Sequence, residues 1–392
     1  MLREGREGYF FMYTKPTVEK LYQPYDCALC RTRNRFVRSG TWLAGADERT
    51  GALTSEEIER YAELGAGCVG TIISGISYIN RDGKSFPRQC GIDSDDRIPE
   101  YSCLAQIVHE RGSRFILQIA HGGSNKVPDI ARGSRNLSPS GVRYPGTRLM
   151  SLPMTGFEIK KLRDDFAAAA LRAQKSGCDG VEIQGGHGFL LAQFLSPIHN
   201  KRDDRYGRTL ENRERIFIEV YEKVREAVGN NFPVFFKLSI SEEVEGGYTA
   251  DEGIHLAKEL LRRGVDGIEV SSGAPYSDIL KKPSMPGVKA GISEAPFRRY
   301  AEEIKKAALP NQAIILCGGL RSLNTCADLV EDGVCDMISM SRPFNCEPDL
   351  VKRWAEEDYR PAACISCNNC FKTAEEGGLI YCSIRRNKNR KD

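Results

Sequence analysis

The segment 177–215 carries hydrogen-bonding side chains at the point where a predicted strand ends. Residues 181–183 form a short buried-strand pattern, which runs into a glycine-rich turn containing Gln184 and His187. Amide and imidazole groups both donate and accept hydrogen bonds. The carboxyl end of a strand is also where an α/β barrel assembles its active site. A lone histidine is more often a structural hydrogen-bonding group, but its place at a strand end leads us to predict a ligand-binding turn here.

Two other predicted strands carry side chains that suit a flat, polar ring. Gln118 lies near the end of one apolar run, and its amide offers a donor and an acceptor to the imide edge of a heterocycle. Lys237 interrupts another apolar run, and a buried lysine needs an anionic partner. A cation beside the N1/O2 edge of a flavin stabilises its reduced form. The alternative is a lysine whose ammonium group simply extends to solvent.

The last two predicted strands end in residues that suit a phosphate group. Gly318 and Gly319 follow one strand, and Ser341 and Arg342 follow the next. Barrels often bind phosphate in the loops after their seventh and eighth strands. Glycines allow backbone N–H groups to approach the oxygens, and an arginine adds a bidentate cation. The alternative is a tight turn beside a surface arginine.

The elements that position these residues alternate regularly along the chain. Short apolar runs are separated by segments with helical spacing, several of which end in glycine. Eight such units predict an α/β fold, a (β/α)8 TIM barrel. A doubly wound sheet is the alternative, but no G-x-G-x-x-G turn follows the first strand. The predicted strands are Phe36–Ser39, Cys68–Ser74, Phe115–Ala120, Gly180–Ile183, Pro233–Leu238, Gly267–Val270, Ala313–Cys317 and Asp336–Met340.

Length and composition predict one barrel with additions at both ends. The 392 residues divide into an N-terminal extension (1–20), the barrel (21–358), and a C-terminal cysteine-rich extension with a basic tail (359–392). Two long connections, 121–155 and 273–297, are rich in Gly, Pro and Ser and are expected to cover the barrel mouth.

Charge and hydropathy exclude several classes of partner. The net charge is +3, which is too balanced for a nucleic-acid or membrane surface. The chain contains no apolar run of the roughly 20 residues needed for a membrane span, and its start lacks a signal-peptide pattern. We therefore expect a cytoplasmic protein. Fourteen cysteines are many for that compartment, where clustered cysteines suggest a metal rather than disulfides.

The C-terminal cysteines have the spacing of a metal site. Cys364, Cys367 and Cys370 are each separated by two residues, and Cys382 follows after eleven more. Four thiolates at this density can hold an iron–sulfur cluster or a zinc ion, and unmetallated cysteines are the third possibility. The pair Cys27-x2-Cys30 lacks a second pair and is interpreted as structural.

Taken together, the motifs resemble the Old Yellow Enzyme family of FMN-dependent NADH:flavin oxidoreductases over about residues 21–358. The resemblance is carried by NRFVRS at 34–39, QIAHGG at 118–123, ENR at 211–213, GG at 318–319 and SRP at 341–343. It implies hydride transfer from NAD(P)H to the flavin N5 and onward to a conjugated, α,β-unsaturated small molecule.

The resemblance also implies roles for individual residues. It places the FMN phosphate at Gly318, Gly319, Ser341 and Arg342, and it places Gln118 and Lys237 at the edges of the isoalloxazine. The backbone of Ser39, Gly40 and Thr41 would lie against the ring.

The substrate-binding residues depart from the family pattern. The family usually carries His, then His or Asn, at the positions of Gln184 and His187, where they bind the electronegative group of the substrate. The usual tyrosine proton donor falls at Phe189, which cannot donate a proton. A tyrosine from elsewhere, for which we select Tyr276 over Tyr78 and Tyr248, or a water molecule is therefore expected to replace it.

The cysteine segment resembles the motif that follows the barrel in 2,4-dienoyl-CoA reductase and trimethylamine dehydrogenase. The resemblance implies one [4Fe-4S] cluster on Cys364, Cys367, Cys370 and Cys382. Because these 392 residues contain no second dinucleotide-binding fold, electrons are expected to enter from nicotinamide at the FMN or from an electron-donor protein through the cluster. A flavin and iron–sulfur electron-transfer partner, or an FMN-dependent dehydrogenase or demethylase, are the alternative functions. The oligomeric state stays open, and a homo-oligomer is compatible with the sequence.

Overall fold

Eight parallel strands form the centre of the fold. The structure is a computed structural model that describes residues 18–27, 30–145, 147–277, 284–375 and 377–388. Most of the predicted N-terminal extension and the end of the basic tail lie outside these residues. The strands are β1 (Phe36–Arg38), β2 (Thr71–Ile73), β3 (Arg114–Ala120), β4 (Gly180–Gln184), β5 (Val234–Ser239), β6 (Gly267–Ser271), β7 (Ala313–Cys317) and β8 (Met337–Met340).

The sheet closes on itself. Each strand pairs in parallel with the next, and the last strand pairs with the first through Ile338 opposite Phe36. A doubly wound sheet would be open at both edges. The (β/α)8 barrel predicted from the alternating pattern is therefore confirmed, and each predicted strand overlaps an observed one.

Helices surround the barrel, one after each strand. Several begin at a threonine cap: Thr155 and Thr249 each form a reciprocal capping box with a glutamate three residues later. These caps satisfy backbone N–H groups at the helix start and fix where the polypeptide enters each helix. The helices are α1 (Ser55–Ala66), α2 (Ile98–His109), α3 (Gly156–Lys175), α4 (Leu210–Val228), α5 (Ala250–Arg262), α6 (Arg298–Lys305), α7 (Leu323–Glu331) and α8 (Leu350–Ala355).

Short elements decorate the loops. The first long connection, 121–155, holds a helix and two paired two-residue strands. None of the described helices is long and apolar enough to cross a membrane. The short helices are Glu19–Tyr22, Arg81–Gly83, Asp95–Arg97, Pro128–Arg132, Leu190–Leu195, Arg342–Cys346, Cys370–Glu375 and Ser383–Lys388. The short strands are Tyr25–Cys27, Cys30–Thr32, Ser77–Tyr78, Leu137–Ser138 and Leu152–Pro153.

The interior of the barrel changes from apolar to polar along its axis. At the amino-terminal end, side chains from several strands form a buried apolar cluster, which the hairpin containing Cys27 and Cys30 covers. One layer higher, the inward-facing residues are polar. This asymmetry places buried charges directly beneath the carboxyl-terminal mouth. The apolar cluster comprises Cys27, Cys30, Val37, Ile73, Ile116, Phe235, Ala313, Ile315 and Met337.

The C-terminal segment packs back onto the carboxyl-terminal side of the barrel. The amide of Ile380 donates to Leu43 O over 2.8 Å. Arg385 forms an ion pair with Glu63 over 3.1 Å. The segment therefore lies next to the loop that follows β1, where the predicted ring-contacting residues begin.

Candidate active site

A cavity of about 470 Å³ opens at the carboxyl ends of the barrel strands. It is lined by residues from strand ends all around the barrel, which is where the sequence placed the site. Most of the predicted residues meet here. Those in the lining are Ser39, Gly40, Thr41, Gln184, His187, Lys237, Gly318, Gly319, Ser341 and Arg342.

The end of the cavity beyond β7 and β8 is shaped by two glycines. Gly318 has φ of 126° and Gly319 has φ of 69°, values that favour glycine. A Cβ at Gly318 would lie 2.8 Å from the Phe297 ring, and one at Gly319 would lie 2.8 Å from Pro296 Cδ. Both positions therefore require glycine, and the backbone stays open to an approaching anion.

Two arginines reach the same end of the cavity. Arg342 donates to Met285 O over 2.9 Å. Arg321, which was not predicted from the sequence, is 3% exposed and donates to Ser366 Oγ over 2.7 Å. Burial first, and then the positive charge of Arg321, lower the pKa of Arg342. Two crowded guanidinium groups favour an anionic ligand between them. The closeness of Arg321 to Gly319 in the chain was the available sequence signal.

The floor of the cavity contains a buried ion pair. Lys237 is 3% exposed, and its Nζ donates to Glu269 Oε2 and to Ser39 Oγ, both over 2.6 Å. Burial alone would lower the pKa of Lys237, but the neighbouring Cys317, Glu269 and Glu182 groups outweigh it and raise that pKa. Lys237 therefore points inward and keeps its charge, and Glu269 is the anionic partner that its burial requires.

Gln118 lies behind the cavity wall rather than in it. A Cβ at Gly40 would collide with the Gln118 amide, so glycine allows the two to touch. Gln118 Nε2 donates to Glu182 Oε2 over 2.5 Å. Its Oε1 atom is buried and receives no hydrogen bond from the part of the chain that the structure describes. An unsatisfied buried acceptor of this kind marks a place for a ligand donor.

His187 and Gln184 both line the cavity. His187 Nε2 is 3.0 Å from Ser271 Oγ, and the His187 amide donates to Ser239 Oγ over 2.8 Å. Burial, followed by the charge of Lys237, lowers the pKa of His187 to about 3. Gln184 Oε1 accepts from the Gly186 amide over 3.0 Å. Both side chains are therefore neutral hydrogen-bonding groups at physiological pH.

The structure does not bring Tyr276 to this pair. Its hydroxyl donates to Glu242 Oε1 over 2.6 Å and lies 2.8 Å from His199 Nε2. Burial, followed by the charge of Glu242, raises the pKa of Tyr276. Among the described residues, the cavity lining contains no tyrosine, so Tyr78 and Tyr248 are absent from it as well. The source of the proton stays a prediction, with water as the remaining candidate from the sequence.

An aromatic wall faces the cavity and was not predicted. Trp42 and Phe86 stack with ring centroids 4.8 Å apart, and Phe189 meets Phe86 edge-on at 6.4 Å. Phe371, from the cysteine segment, completes the lining. Trp42 directly follows the predicted ring-contacting residues, but nothing in the sequence shows that Phe86 comes from the next strand–helix loop to meet it.

The four predicted metal ligands lie in one region without converging. Cys370 and Cys382 are buried, Cys364 is partly buried and Cys367 is exposed. Burial, followed by the charge of Cys364, raises the pKa of Cys370 to about 11. Across the described ranges, no three His, Cys, Asp or Glu side chains are arranged to hold a metal ion. The thiol donor set suits iron or zinc but this geometry does not, and the cluster stays a prediction.

The cavity residues, in contrast, fit FMN. The glycines and arginines at one end suit a phosphate, and the aromatic wall suits a planar ring. The buried Lys237 supplies a cation for a polar ring edge, and the unsatisfied Gln118 Oε1 lies directly behind Gly40 of the cavity wall.

Comparison with known proteins gives a consistent result. The sequence profile of the NADH:flavin oxidoreductase / NADH oxidase family matches residues 20–360. The chain is 33% identical over 362 residues to an NADH oxidase of Thermoanaerobacter brockii, which covers 90% of this chain and 53% of the relative. The predicted Old Yellow Enzyme resemblance is confirmed by an old yellow enzyme homologue from Zymomonas mobilis, with a TM-score of 0.74 and 26% identity over 88% of this chain and 95% of that one.

A larger relative matches the fold more completely. A 2-naphthoyl-CoA reductase in complex with 2-naphthoyl-CoA has a TM-score of 0.86 and 26% identity, over 94% of this chain and 57% of that one. The chain thus spans about half the length of this reductase and of the NADH oxidase, at 57% and 53%.

Proposed function

The chain belongs to the NADH:flavin oxidoreductase / NADH oxidase family, and on that premise we propose that it is an FMN-dependent enzyme that transfers hydride from NAD(P)H to a conjugated, electron-poor small molecule. FMN, when bound, supplies the chemistry by accepting a hydride from reduced nicotinamide and passing it to the substrate. The observation that carries the proposal is one cavity that combines an anion-binding end, a buried cation and a neutral hydrogen-bonding pair.

The anion-binding end would hold the FMN phosphate. Gly318 and Gly319 line this end without side chains, and Arg342 supplies a positive charge. The ring end would meet Lys237, whose ammonium group faces the cavity while it is held by Glu269. Negative charge that arrives with the hydride would be stabilised there, because the cation is already positioned and needs no reorganisation.

The substrate would be held by His187 and Gln184. The neutral imidazole of His187 and the Gln184 Nε2 amide can donate hydrogen bonds to a carbonyl or nitro oxygen as negative charge develops on it. Gln184 Oε1 already accepts a hydrogen bond from Gly186, which orients the amide so that Nε2 is the group left to donate. Phe189 offers no proton, so the site lacks the family's usual donor at that position.

The substrate class is proposed to be planar and conjugated. Trp42 and Phe86 form a stacked aromatic wall, and flat unsaturated molecules pack well on such surfaces. The relative that was solved with 2-naphthoyl-CoA acts on an aromatic thioester, which agrees with this class. A thioester carbonyl would take the place of the enone oxygen opposite His187.

We also propose that Cys364, Cys367, Cys370 and Cys382 hold one [4Fe-4S] cluster. The support is their spacing and their position directly after the barrel, since the described geometry forms no metal site. Phe371 lies within this segment and lines the cavity, so the segment is part of the active-site wall. With a cluster, exchange of electrons with a donor protein becomes the second candidate function.

The test begins with protein purified anaerobically and supplied with FMN. Heat-released flavin is identified by chromatography, and the flavin band is followed on addition of NADH or NADPH and then of enones. Saturated ketones of matched size serve as the control substrates. Bleaching by a nicotinamide and recovery with enones alone would support the proposal. Recovery of FAD, or an FMN band that no nicotinamide bleaches, would contradict it.

A further inference from the structure

Beneath the cavity floor, two carboxyl groups accompany one lysine. Glu182 on β4 and Glu269 on β6 are both fully buried, and β5 between them carries Lys237. The pairing register places Lys237 opposite Glu269, and it places Gln118 opposite Glu182. The layer therefore contains one more acidic group than its single ammonium group can neutralise.

Glu269 is the ionised acid of this layer. Its Oε2 atom accepts from Lys237 over 2.6 Å, and its Oε1 atom accepts from Ser339 Oγ over 2.5 Å. Burial alone would raise the pKa of Glu269, but the charge and hydrogen bond of Lys237 overcome this and lower it. Both oxygens are satisfied by donors, so Glu269 carries the negative charge that balances Lys237.

Within the described part of the chain, Glu182 lacks an ammonium partner and has a hydrogen-bond donor to only one of its oxygens. Its Oε2 atom accepts from Gln118, while its Oε1 atom is buried without a donor among the residues that the structure describes. Glu182 and Glu269 lie on the two strands that flank β5, the strand that carries Lys237. Burial, followed by the negative charge of Glu269, raises the pKa of Glu182 well above its usual range. Two fully buried carboxyl groups that share one lysine cannot both be ionised at low cost, so one keeps a proton.

We propose that Glu182 and Glu269 hold one proton between them, and that this proton controls how much of the Lys237 charge reaches a ligand in the cavity. With the proton, the two acids and the lysine sum to zero. Without it, a net negative charge lies under the floor and opposes the negative charge that a bound cofactor gains on reduction. Glu182 is thus a positioning residue, and this effect on the cofactor rests on the proposed FMN site.

The other charged or titratable groups around the pair do not replace this proton. Cys317 Sγ lies 3.9 Å from Lys237 Nζ, and burial raises the pKa of Cys317 to about 11, so it is a neutral thiol. His187 is neutral because its pKa is lowered to about 3, mainly by burial. Arg38 is buried and keeps its charge, with its guanidinium hydrogen-bonded to Ser39, Thr41 and Asn345. The Glu182–Glu269 pair is therefore the titrating unit of the floor.

The first experiment uses the FMN-free protein and does not depend on the proposed function. The infrared difference spectrum between wild type and Glu182→Gln at pH 8 should contain the C=O band of a protonated carboxyl group. Glu269→Gln should lose the same band although Glu182 is intact, because Glu182 then ionises as the sole counter-ion of Lys237. Glu57→Gln, at a buried carboxyl outside the cavity, is the matched control and should retain the band. If wild type lacks this band, or if the band survives in Glu269→Gln, the proposal that the two carboxyl groups share a proton is wrong.

The second experiment measures the reduction potential of bound FMN between pH 6 and 10. The wild-type potential should fall below that of Glu182→Gln as pH rises, since only the wild type gains a negative charge there. At low pH the two should agree, and Glu57→Gln should follow the wild type throughout. Equal potentials for wild type and Glu182→Gln across the whole range would overturn control of the Lys237 charge. A failure to bind FMN would contradict the proposed function and leave the infrared result decisive for the proton.

Discussion

Arg342 donates a hydrogen bond to Asn368 Oδ1 over 2.8 Å, which joins the end of the cavity beyond β7 and β8 to the middle of the cysteine segment. A second bridge runs from Arg321 to the Cys364 carbonyl over 3.0 Å. The two arginines that would meet a phosphate therefore also contact the segment that carries three of the four clustered cysteines. Phosphate binding and the conformation of this segment are expected to depend on each other.

Removal of the Arg342 guanidinium should weaken FMN more than riboflavin. A hydrogen bond to a charged group contributes about 1.5–3 kcal/mol, so Arg342→Ala should raise the FMN dissociation constant by roughly 10- to 150-fold. Riboflavin lacks the phosphate, and its affinity should change little. Fluorescence titration of both flavins measures this, with Arg299→Ala at an exposed position as the control. Equal losses for the two flavins would show that Arg342 does not bind the phosphate.

Replacement of Lys237 by methionine should lower the FMN reduction potential and slow reduction by nicotinamide. The change removes the cation that faces the cavity and leaves Glu269 buried without its partner. Breaking a buried pair in this way costs about 3–5 kcal/mol of folding stability. The double variant Lys237→Met, Glu269→Met should recover much of the stability without recovering the potential. If a stably folded variant has the same FMN reduction potential as wild type in a redox titration, the proposed role of Lys237 is contradicted.

Changes at the substrate pair should move the activity toward the family pattern. Gln184→His restores the usual histidine beside His187, and Phe189→Tyr adds a proton donor in a wall position that is 6% exposed. Both changes should raise turnover of simple enones, and together they should exceed either alone. Steady-state rates with a panel of enones measure this. If the double variant gains on no enone, the pocket is built for another reaction, such as demethylation or electron transfer between proteins.

Buried His121 should make the free energy of unfolding fall as the pH is lowered. Burial, followed by the charge of Lys126, lowers the pKa of His121 from 6.5 to about 3. Between these values the unfolded chain binds a proton that the folded protein does not, so the stabilising contribution is present above pH 6.5 and is lost as pH falls.

His121→Asn should remove this dependence. Asparagine can still accept the hydrogen bond that His121 Nδ1 receives from the Gly123 amide over 3.0 Å. Urea unfolding at pH 7 and pH 5 measures the effect. Wild type should lose about 1.4 kcal/mol per pH unit more than the variant below pH 6.5. A variant as sensitive to acid as wild type would mean that His121 is protonated in the folded state.

Metal analysis should distinguish the possible states of the cysteine segment. Protein made anaerobically with iron should contain about four irons and four sulfides per chain if a [4Fe-4S] cluster forms. Cys367→Ala should lose the iron. Cys346→Ser is the matched control, because Cys346 lies beside Cys382 but falls outside the predicted spacing. Stoichiometric zinc would instead show that the segment holds a structural metal site. Protein that contains no iron and no zinc would contradict the proposed cluster.

The sequence predicted the barrel and the strand-end residues because both depend on local patterns. Apolar runs between glycine-terminated helices specify the strands, and the carboxyl ends of those strands must meet at one mouth. Lys237 could be recognised as needing an anion, but its partner Glu269 is fixed by the pairing of β5 with β6, which no local pattern reveals.

Residues on long loops were beyond this reasoning. Tyr276 was selected for its chemistry, whereas the fold directs its hydroxyl to Glu242. Phe86 reaches Trp42 through tertiary packing alone. The cysteine spacing identifies a set of donors without stating how their sulfur atoms are oriented.

The apolar cluster at the amino-terminal end of the barrel leaves the carboxyl-terminal mouth as the open end of the described interior. Among the residues that the structure describes, side chains such as Phe235 and Met337 and the paired strands 25–27 and 30–32 fill the end opposite the mouth, so the mouth is the open route to the Glu182–Glu269 pair. A ligand bound in the cavity would therefore restrict the access of water and protons to the pair. Proton exchange between the pair and solvent should be slower in the loaded protein than in the empty one, although the pair still equilibrates with the bulk pH.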